Sequence, residues 1–137
     1  MSDAMTRLAE RLRAAGLVAG QSKQGAGFGD GYERYSDGAL EVTLQSDRGQ
    51  EVVYLRATGE GESFDADIWR AVLDGEPAPA GALRPAADQC AFVERQLDGL
   101  RRLAAHPDAT GELAPKLRRA HRDRFLRSDL GRRSGQD

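Results

Sequence analysis

The sequence predicts an α+β fold built on a three-stranded antiparallel β-meander, with one helix before the meander and three after it. Two observations predict the meander. Polar and apolar residues alternate between residues 31 and 57, and turn-forming residues interrupt the alternation at Asp37-Gly38 and at residues 47–50. A third observation, helical spacing of apolar residues on both sides of this stretch, predicts the helices.

The two turns predict how the strands pair. A two-residue turn at Asp37-Gly38 places Ser36 opposite Ala39, Arg34 opposite Glu41 and Tyr32 opposite Thr43. A four-residue loop, Asp47-Arg48-Gly49-Gln50, places Leu44 opposite Val53, Val42 opposite Leu55 and Glu41 opposite Arg56.

Both registers divide the side chains between the same two faces, because side chains alternate along a strand. The apolar face, which we expect on the core, holds Tyr35, Leu40, Val42, Leu44, Val53, Leu55 and Ala57. The polar face holds Tyr32, Arg34, Glu41, Thr43, Gln45, Val52, Tyr54 and Arg56. This second face is either a solvated face with charge ladders, a face partly covered by a helix, or a binding surface.

Four helices are predicted from apolar spacing, caps and prolines. They run from Asp3 to Ala15, from about Asp65 to Asp74, from about Pro85 to Ala105, and from Pro115 to about Leu130. Ser63 or Asp65 caps the second helix and Gly75 ends it. Residues 1–130 form a single domain in this interpretation, with a flexible glycine-rich segment at 20–31 and a disordered tail at 131–137.

The third predicted helix carries a core stripe of Cys90, Val93, Leu97, Leu100 and Ala104. A cysteine on such a stripe is expected to be buried and inert, and it is the only cysteine in the chain. Gly99 lies within the same helix, where it suggests the close approach of another element. The last helix is expected to use Leu117, Phe125, Leu126 and Leu130 as its apolar contacts.

No apolar run is long enough to cross a membrane, and charged residues interrupt the N-terminal segment, so no signal peptide is expected. With one cysteine, an internal disulfide is excluded. We therefore expect a cytoplasmic protein that does not interact with membranes.

Charge is unevenly distributed along the chain. Residues 28–76 contain 12 acidic residues and 4 arginines, a balance of −8, whereas residues 116–137 contain 8 basic and 3 acidic residues, a balance of +5. The acidic middle suggests a basic protein partner. The basic segment is expected to be a solvated helix or to pair with the acidic middle of the same chain. It also supports an alternative, nucleic-acid binding through Lys116, Arg118, Arg119, Arg122, Arg124 and Arg127.

No combination of residues suggests catalysis. His106 and His121 are not spaced with other potential ligands in a way that indicates a metal site, and no nucleophile has an identifiable base. The glycines of residues 20–31 follow a helix and precede a strand, the reverse of a dinucleotide-binding loop. We therefore expect no enzyme activity, no metal and no cofactor.

The predicted partner-binding surface combines the polar sheet face with the start of the second helix, because exposed tyrosine and arginine are prominent in interface energetics. Its residues are Tyr32, Arg34, Glu41, Tyr54, Arg56, Asp65 and Asp67.

Two segments, ERYSDGALEVTLQSDRGQ at residues 33–50 and FDADIWRAVLDG at residues 64–75, resemble the small immunity-type proteins of actinobacterial polymorphic toxin systems. This resemblance covers the middle third of the chain and excludes the basic last helix. It implies a cytoplasmic protein that binds one cognate toxin domain and blocks it without catalysis.

We therefore expect a non-catalytic protein-binding domain that inhibits a toxin or effector. Nucleic-acid binding by the last helix is one alternative. The other is a homomeric regulatory or assembly module, in which an exposed face forms a homodimer.

Overall fold

A computed structural model describes residues 1–24, 31–58 and 61–134. Residues 25–30, 59–60 and 135–137, which include half of the predicted flexible segment and the end of the predicted tail, lie outside the described residues. The described part is α+β, with four helices and a five-stranded antiparallel sheet in the order β1-β2-β3-β4-β5.

The elements follow one another in a simple order, with one helix before the sheet and three after it. They are α1 (Asp3–Ala14), β1 (Val18–Gln24), β2 (Gly31–Ser36), β3 (Leu40–Asp47), β4 (Gln50–Ala57), β5 (Ser63–Asp65), α2 (Ala66–Asp74), α3 (Ala86–Ala105) and α4 (Pro107–Ser134). Strands β2, β3 and β4 form the predicted meander.

The sheet has two more strands than the sequence predicted. β1 begins two residues before the segment predicted to be flexible, residues 20–31, and continues into it. It pairs with β2, from Val18 opposite Ser36 to Gln24 opposite Gly31, with an irregularity between Ala19 and Ser22. β5 is three residues long and pairs with the end of β4. Small polar residues and glycine give β1 little apolar alternation, so its strand structure comes from pairing with β2.

The β2–β3 register differs from the prediction by two residues. Ser36 lies opposite Glu41, Arg34 opposite Thr43 and Tyr32 opposite Gln45. The Asp37 carboxylate accepts hydrogen bonds from the backbone N–H groups of Ala39 and Leu40, at 2.9 and 2.8 Å, and so moves the turn one residue along the chain. Gly38, with φ of 94°, then occupies the first central position of the turn, where a positive φ is needed. A shift of two residues leaves the faces unchanged.

The β3–β4 register is confirmed, with Leu44 opposite Val53, Val42 opposite Leu55 and Glu41 opposite Arg56. Its loop is shorter than predicted, because Asp47 pairs with Gln50 and leaves a two-residue turn. Both turn residues, Arg48 and Gly49, have positive φ, at 53° and 79°. This is the backbone that a two-residue hairpin turn of the commonest type requires.

All seven residues of the predicted apolar face are buried, and they form one core with the helices. The helices contribute Met5, Leu8 and Leu12 from α1, Ile68 and Trp69 from α2, Cys90, Val93, Leu97 and Leu100 from α3, and Leu113 and Leu117 from α4. The domain is therefore a two-layer structure, with the helices packed on one face of the sheet.

The α3 core stripe is confirmed, and Cys90 is 3% exposed. Burial, together with the nearby Glu94 and Glu51 carboxylates, raises the pKa of the Cys90 thiol to about 12. A thiol with so high a pKa is protonated and unreactive at neutral pH. The suggested close approach at Gly99 is wrong: among the described atoms, a Cβ there would meet only the Gln96 side chain, at 3.7 Å.

The last helix begins earlier than predicted, at Pro107 rather than at Pro115. Pro107 suits the first turn of a helix, whose N–H groups lack intrahelical partners, whereas Pro115 lies inside the helix. Leu117 is buried as predicted, but Phe125 and Leu126 are 70% and 50% exposed, so their predicted core role is wrong. The helix continues to Ser134, into the tail predicted to be disordered.

Where β5 does not pair with β4, the side chain of Gln89 forms hydrogen bonds with backbone groups of β4. Gln89, which is 1% exposed, accepts a hydrogen bond from the Val53 backbone N–H at 2.9 Å and donates to the Glu51 carbonyl at 3.2 Å. It also donates to the Arg84 carbonyl at 2.8 Å. Gln89 of α3 thus makes hydrogen bonds to β4 that a neighbouring strand would otherwise make.

We expect Gln89→Ala to lower the free energy of unfolding by about 2 kcal/mol, because it leaves buried backbone groups unsatisfied. Urea denaturation followed by circular dichroism measures this change. Gln96→Ala on the same helix is the matched control, since its hydrogen bond to Asp74 is exposed, and it should change stability by less than about 0.5 kcal/mol. Equal losses for the two variants would contradict the proposed role of Gln89.

Candidate functional site

The candidate site is the sheet face that the helices leave uncovered, here called the open face. Its residues lie on β2 to β5 with side chains opposite to the core. Pairing arranges them in three rows across the strands. The rows are Ser36-Glu41-Arg56-Ser63, Arg34-Thr43-Tyr54-Asp65 and Tyr32-Gln45-Val52.

Six of the seven residues predicted for partner binding lie on this face. Five of them are half-buried, Tyr32, Arg34, Glu41, Tyr54 and Arg56, and the sixth, Asp65, is buried. An open depression of about 420 Å³ lies among them, lined by Arg34, Glu41, Thr43, Gln45, Tyr54, Arg56, Gly61 and Ser63. All of the lining comes from strands and the turn before β5. The face is therefore shaped by the sheet itself.

Charge pairing holds the long side chains of the open face in place. Arg56 donates from Nη2 to Glu41 Oε2 at 3.0 Å and from Nε to Glu41 Oε1 at 3.4 Å. The Arg34 guanidinium lies 4.8 Å from the centre of the Tyr32 ring, within cation–π range. Arg34 lies opposite Thr43 rather than opposite Glu41, because the β2–β3 register differs from the prediction by two residues.

Tyr54 connects the open face to the helical layer. It lies opposite Asp65, and burial together with the Asp65 carboxylate raises the pKa of the Tyr54 phenol. The phenol is therefore a neutral hydrogen-bonding group at physiological pH. Phenol and guanidinium groups side by side can recognise peptide groups and charged side chains of both signs.

Two of the predicted residues, Asp65 at the β5 edge of the open face and Asp67 in α2, are buried. Asp65 is 5% exposed and forms a bidentate pair with Arg124 of α4, at 3.0 and 2.8 Å. Asp67 is 1% exposed and accepts hydrogen bonds from the Arg84 backbone N–H at 2.9 Å and from Arg84 Nη1 at 3.1 Å. Asp65 occupies the N-cap position of α2, but its carboxylate bonds to Arg124 instead of a helix N–H. Neither carboxylate presents a surface to a partner.

Arginines of the C-terminal half also pair with other acidic residues of the middle. Arg101 reaches Asp37 at 2.8 Å, and Arg118 reaches Glu62 at 2.8 Å. Burial alone would raise the pKa of Asp37, but hydrogen bonds from Leu40, Ala39 and Arg101 outweigh it and hold that pKa below its usual value. Part of the charge asymmetry of the sequence is thus compensated within the folded chain.

The basic residues of α4 divide into two groups. Arg118, Arg124 and Arg127 bind the chain itself, through Glu62, Asp65 and the Ala78 carbonyl. Lys116, Arg119 and Arg122 are exposed, and no hydrogen bond or ion pair joins them to another residue in the described part of the chain. The predicted nucleic-acid surface is therefore reduced to these three exposed cations.

Within residues 1–24, 31–58 and 61–134, no three His, Cys, Asp or Glu side chains lie close enough together to hold a metal ion. None of the helices in those ranges combines the length and the apolar character needed to cross a membrane.

The sequence did not predict that Ser63 and Asp65 of β5 extend two of these rows across the sheet. Nothing in the sequence of residues 63–65 signals a strand, because three residues are too few for a periodic pattern. Asp65 therefore seemed to belong to an exposed helix start. The only available signal was the excess of arginine in the C-terminal half, which indicated that acidic residues elsewhere had internal partners.

No protein-family model, curated protein or solved structure matches this chain.

Proposed function

We propose that this chain is a non-catalytic protein-binding domain whose open face binds a cognate protein, and that binding inhibits a toxin or effector domain. The observation that carries the proposal is the open face itself. A rigid antiparallel sheet, packed on one side against the core, presents Tyr32, Arg34, Tyr54 and Arg56 on its other side.

The composition of the face supports protein binding. Tyrosine and arginine are enriched among the residues that dominate interface energetics. Tyr32 and Tyr54 flank the central strand β3 and bring large apolar rings together with polar groups. The depression on the open face offers a place for a partner side chain.

The rigidity of the face also supports the proposal. Strands β2, β3 and β4 each pair with a neighbouring strand on both sides. The ion pair between Glu41 and Arg56 already orders two long side chains. A surface ordered before binding loses less conformational entropy when the partner arrives. Rigid presentation suits stoichiometric inhibition, in which affinity alone must keep the target blocked.

The nature of the partner follows from the charges that remain available. Most acidic groups of the middle segment are paired internally, so long-range attraction to a basic surface is reduced. We propose that the partner contributes a mixed surface, with polar groups that approach the Glu41–Arg56 ion pair and apolar groups that pack on the tyrosine rings. The resemblance of residues 33–50 and 64–75 to immunity-type proteins supports a toxin domain as that partner.

The test begins with a pull-down of the tagged protein from nuclease-treated lysate of its own species, with the captured protein identified by mass spectrometry. The purified partner is then titrated against Tyr32→Ala/Tyr54→Ala. We expect affinity to fall at least about 30-fold, because an interface hot spot contributes about 2 kcal/mol or more. Activity assays of the partner with and without the chain then test inhibition.

Phe125→Ala is the matched control, because Phe125 is an exposed aromatic residue on α4 and lies outside the open face. It should bind with wild-type affinity. Wild-type affinity of the double tyrosine variant, with its fold confirmed by circular dichroism, would contradict the proposed surface.

A further inference from the structure

A second concave surface lies on the helical layer, between α4, the C-terminal half of α2 and the loop after α2. This groove has a volume of about 400 Å³. It is lined by Ala71, Val72, Gly75, Pro77, Ala78, Lys116, Arg119, Ala120, Asp123 and Arg127. Because the helices pack on the core face of the sheet, the groove shares no residue with the open face.

The α4 wall of the groove is basic. Three cations, Lys116, Arg119 and Arg127, line it against one carboxylate, Asp123. Spacings of three, four and four residues from Lys116 through Arg119 and Asp123 to Arg127 place all of them on one side of the helix. Lys116 and Arg119 are exposed and have no ion-pair partner in the ranges that the structure covers. They are available to an anionic ligand.

The loop wall is held in place by α4 itself. Arg127 donates a hydrogen bond from Nη2 to the Ala78 carbonyl at 2.7 Å, and Ala78 is 2% exposed. Gly75, in the left-handed conformation with φ of 73°, ends α2 and directs the chain toward this contact. The groove is therefore a formed feature of the fold rather than a gap beside a loose segment.

The rest of the lining is small and apolar. Ala71 and Val72 of α2, Pro77 and Ala78 of the loop, and Ala120 of α4 contribute it. The lining contains no aromatic side chain on which a nucleic-acid base could stack. Small apolar residues beside two available cations instead suit a peptide that carries both carboxylate and aliphatic side chains.

We infer that this groove binds an acidic peptide segment of a partner protein, with aliphatic side chains on the alanine and valine lining and carboxylates on Lys116 and Arg119. This surface is separate from the open face, so the inference stands whether or not the open face binds a toxin. It also gives a role to the exposed cations of α4, which the open face does not use.

The test uses a short fluorescein-labelled peptide of alternating glutamate and leucine, titrated against the full chain by fluorescence anisotropy. A peptide with lysine in place of glutamate and an oligothymidylate of the same length are compared. We expect binding of the acidic peptide only. Lys116→Glu/Arg119→Glu should weaken it at least about tenfold, because two attractive charge contacts become repulsive.

Two further variants test whether binding depends on the position of the charges and on the shape of the groove, rather than on the net charge of the chain. Arg7→Glu/Arg11→Glu makes the same change in net charge at exposed sites on α1 and should leave binding unchanged. Ala120→Leu fills the groove without altering charge and should weaken binding. Thermal melting checks that each variant is folded.

Three results would overturn the inference: equal binding of the acidic and lysine peptides, equal weakening by the α1 and α4 charge reversals, or tighter binding of the oligothymidylate that is lost in Lys116→Glu/Arg119→Glu. The last result would identify the groove as a nucleic-acid site.

Discussion

Trp69→Ala should lower the free energy of unfolding by about 5 kcal/mol, because it removes the largest fully buried side chain and leaves a cavity. Trp69 joins α2 to the sheet in two ways. Its rings lie in the core, and its indole Nε1 donates a hydrogen bond to the Leu55 carbonyl of β4 at 3.0 Å. Small domains have total stabilities of about 5 to 15 kcal/mol, so this variant should be largely unfolded or strongly destabilised.

Urea denaturation followed by circular dichroism measures the effect, since the variant lacks the chain's only tryptophan as a fluorophore. Trp69→Phe is the graded control. It keeps much of the apolar contact and loses the hydrogen-bond donor, so its loss should be about half as large. A Trp69→Ala variant with wild-type stability would show that α2 is not fastened to the sheet by this residue.

Asp67→Ala should cost about 3 kcal/mol of stability, because it removes the main charge partner of the partly buried Arg84 guanidinium and leaves it only the more distant Glu76 carboxylate, at 3.9 Å. Asp67 also accepts the Arg84 backbone N–H, so the substitution releases the chain between α2 and α3. The loss should be visible both in thermal melting and in urea denaturation. Asp98→Ala, at an exposed position of α3, should change stability by less than about 0.5 kcal/mol.

A double-mutant cycle makes this prediction specific. Asp67→Ala/Arg84→Ala should cost clearly less than the sum of the two single substitutions, because the second substitution removes the guanidinium whose main partner the first removes. Strict additivity of the two losses would mean that the carboxylate and the guanidinium do not act as a pair.

Much of the central sheet could be predicted from the sequence. The alternation of Leu40, Val42 and Leu44 with polar residues defines which face is buried, and burial of that face penalises any one-residue slip. The β3–β4 register followed from the loop predicted at residues 47–50, and the end of α2 followed from Gly75. In each case the local sequence signal agrees with the arrangement that buries the apolar side chains in the core.

The rest depended on contacts between distant residues. β1 has no pattern of its own, and its strand conformation arises from its partner β2. The β2–β3 turn moved because the Asp37 side chain bonds two backbone N–H groups, a local choice that turn propensities alone do not resolve. Pro115 seemed to mark a helix start, but it lies within a helix that packs Leu113 and Leu117 into the core on either side of it.

In the candidate site, too, some features follow from the local sequence and others depend on contacts between distant residues. Alternation placed Tyr54 and Arg56 on one face, and the structure keeps them there. Asp65, by contrast, forms its bidentate bond with Arg124, and 59 residues separate the two in the chain. No local pattern predicts such a pairing, because it depends on where α4 lies against α2 and β5. The partner-binding proposal therefore rests on the five open-face residues and no longer on the acidic ones.

Hydroxyl-radical footprinting of the chain, alone and with its captured partner, tests the open-face proposal most directly. We predict that oxidation of Tyr32 and Tyr54 slows in the complex, while oxidation of the exposed Phe125 and Met1 is unchanged. Unchanged oxidation of both tyrosines in a complex that is demonstrably formed would show that the partner binds elsewhere and would contradict the proposal.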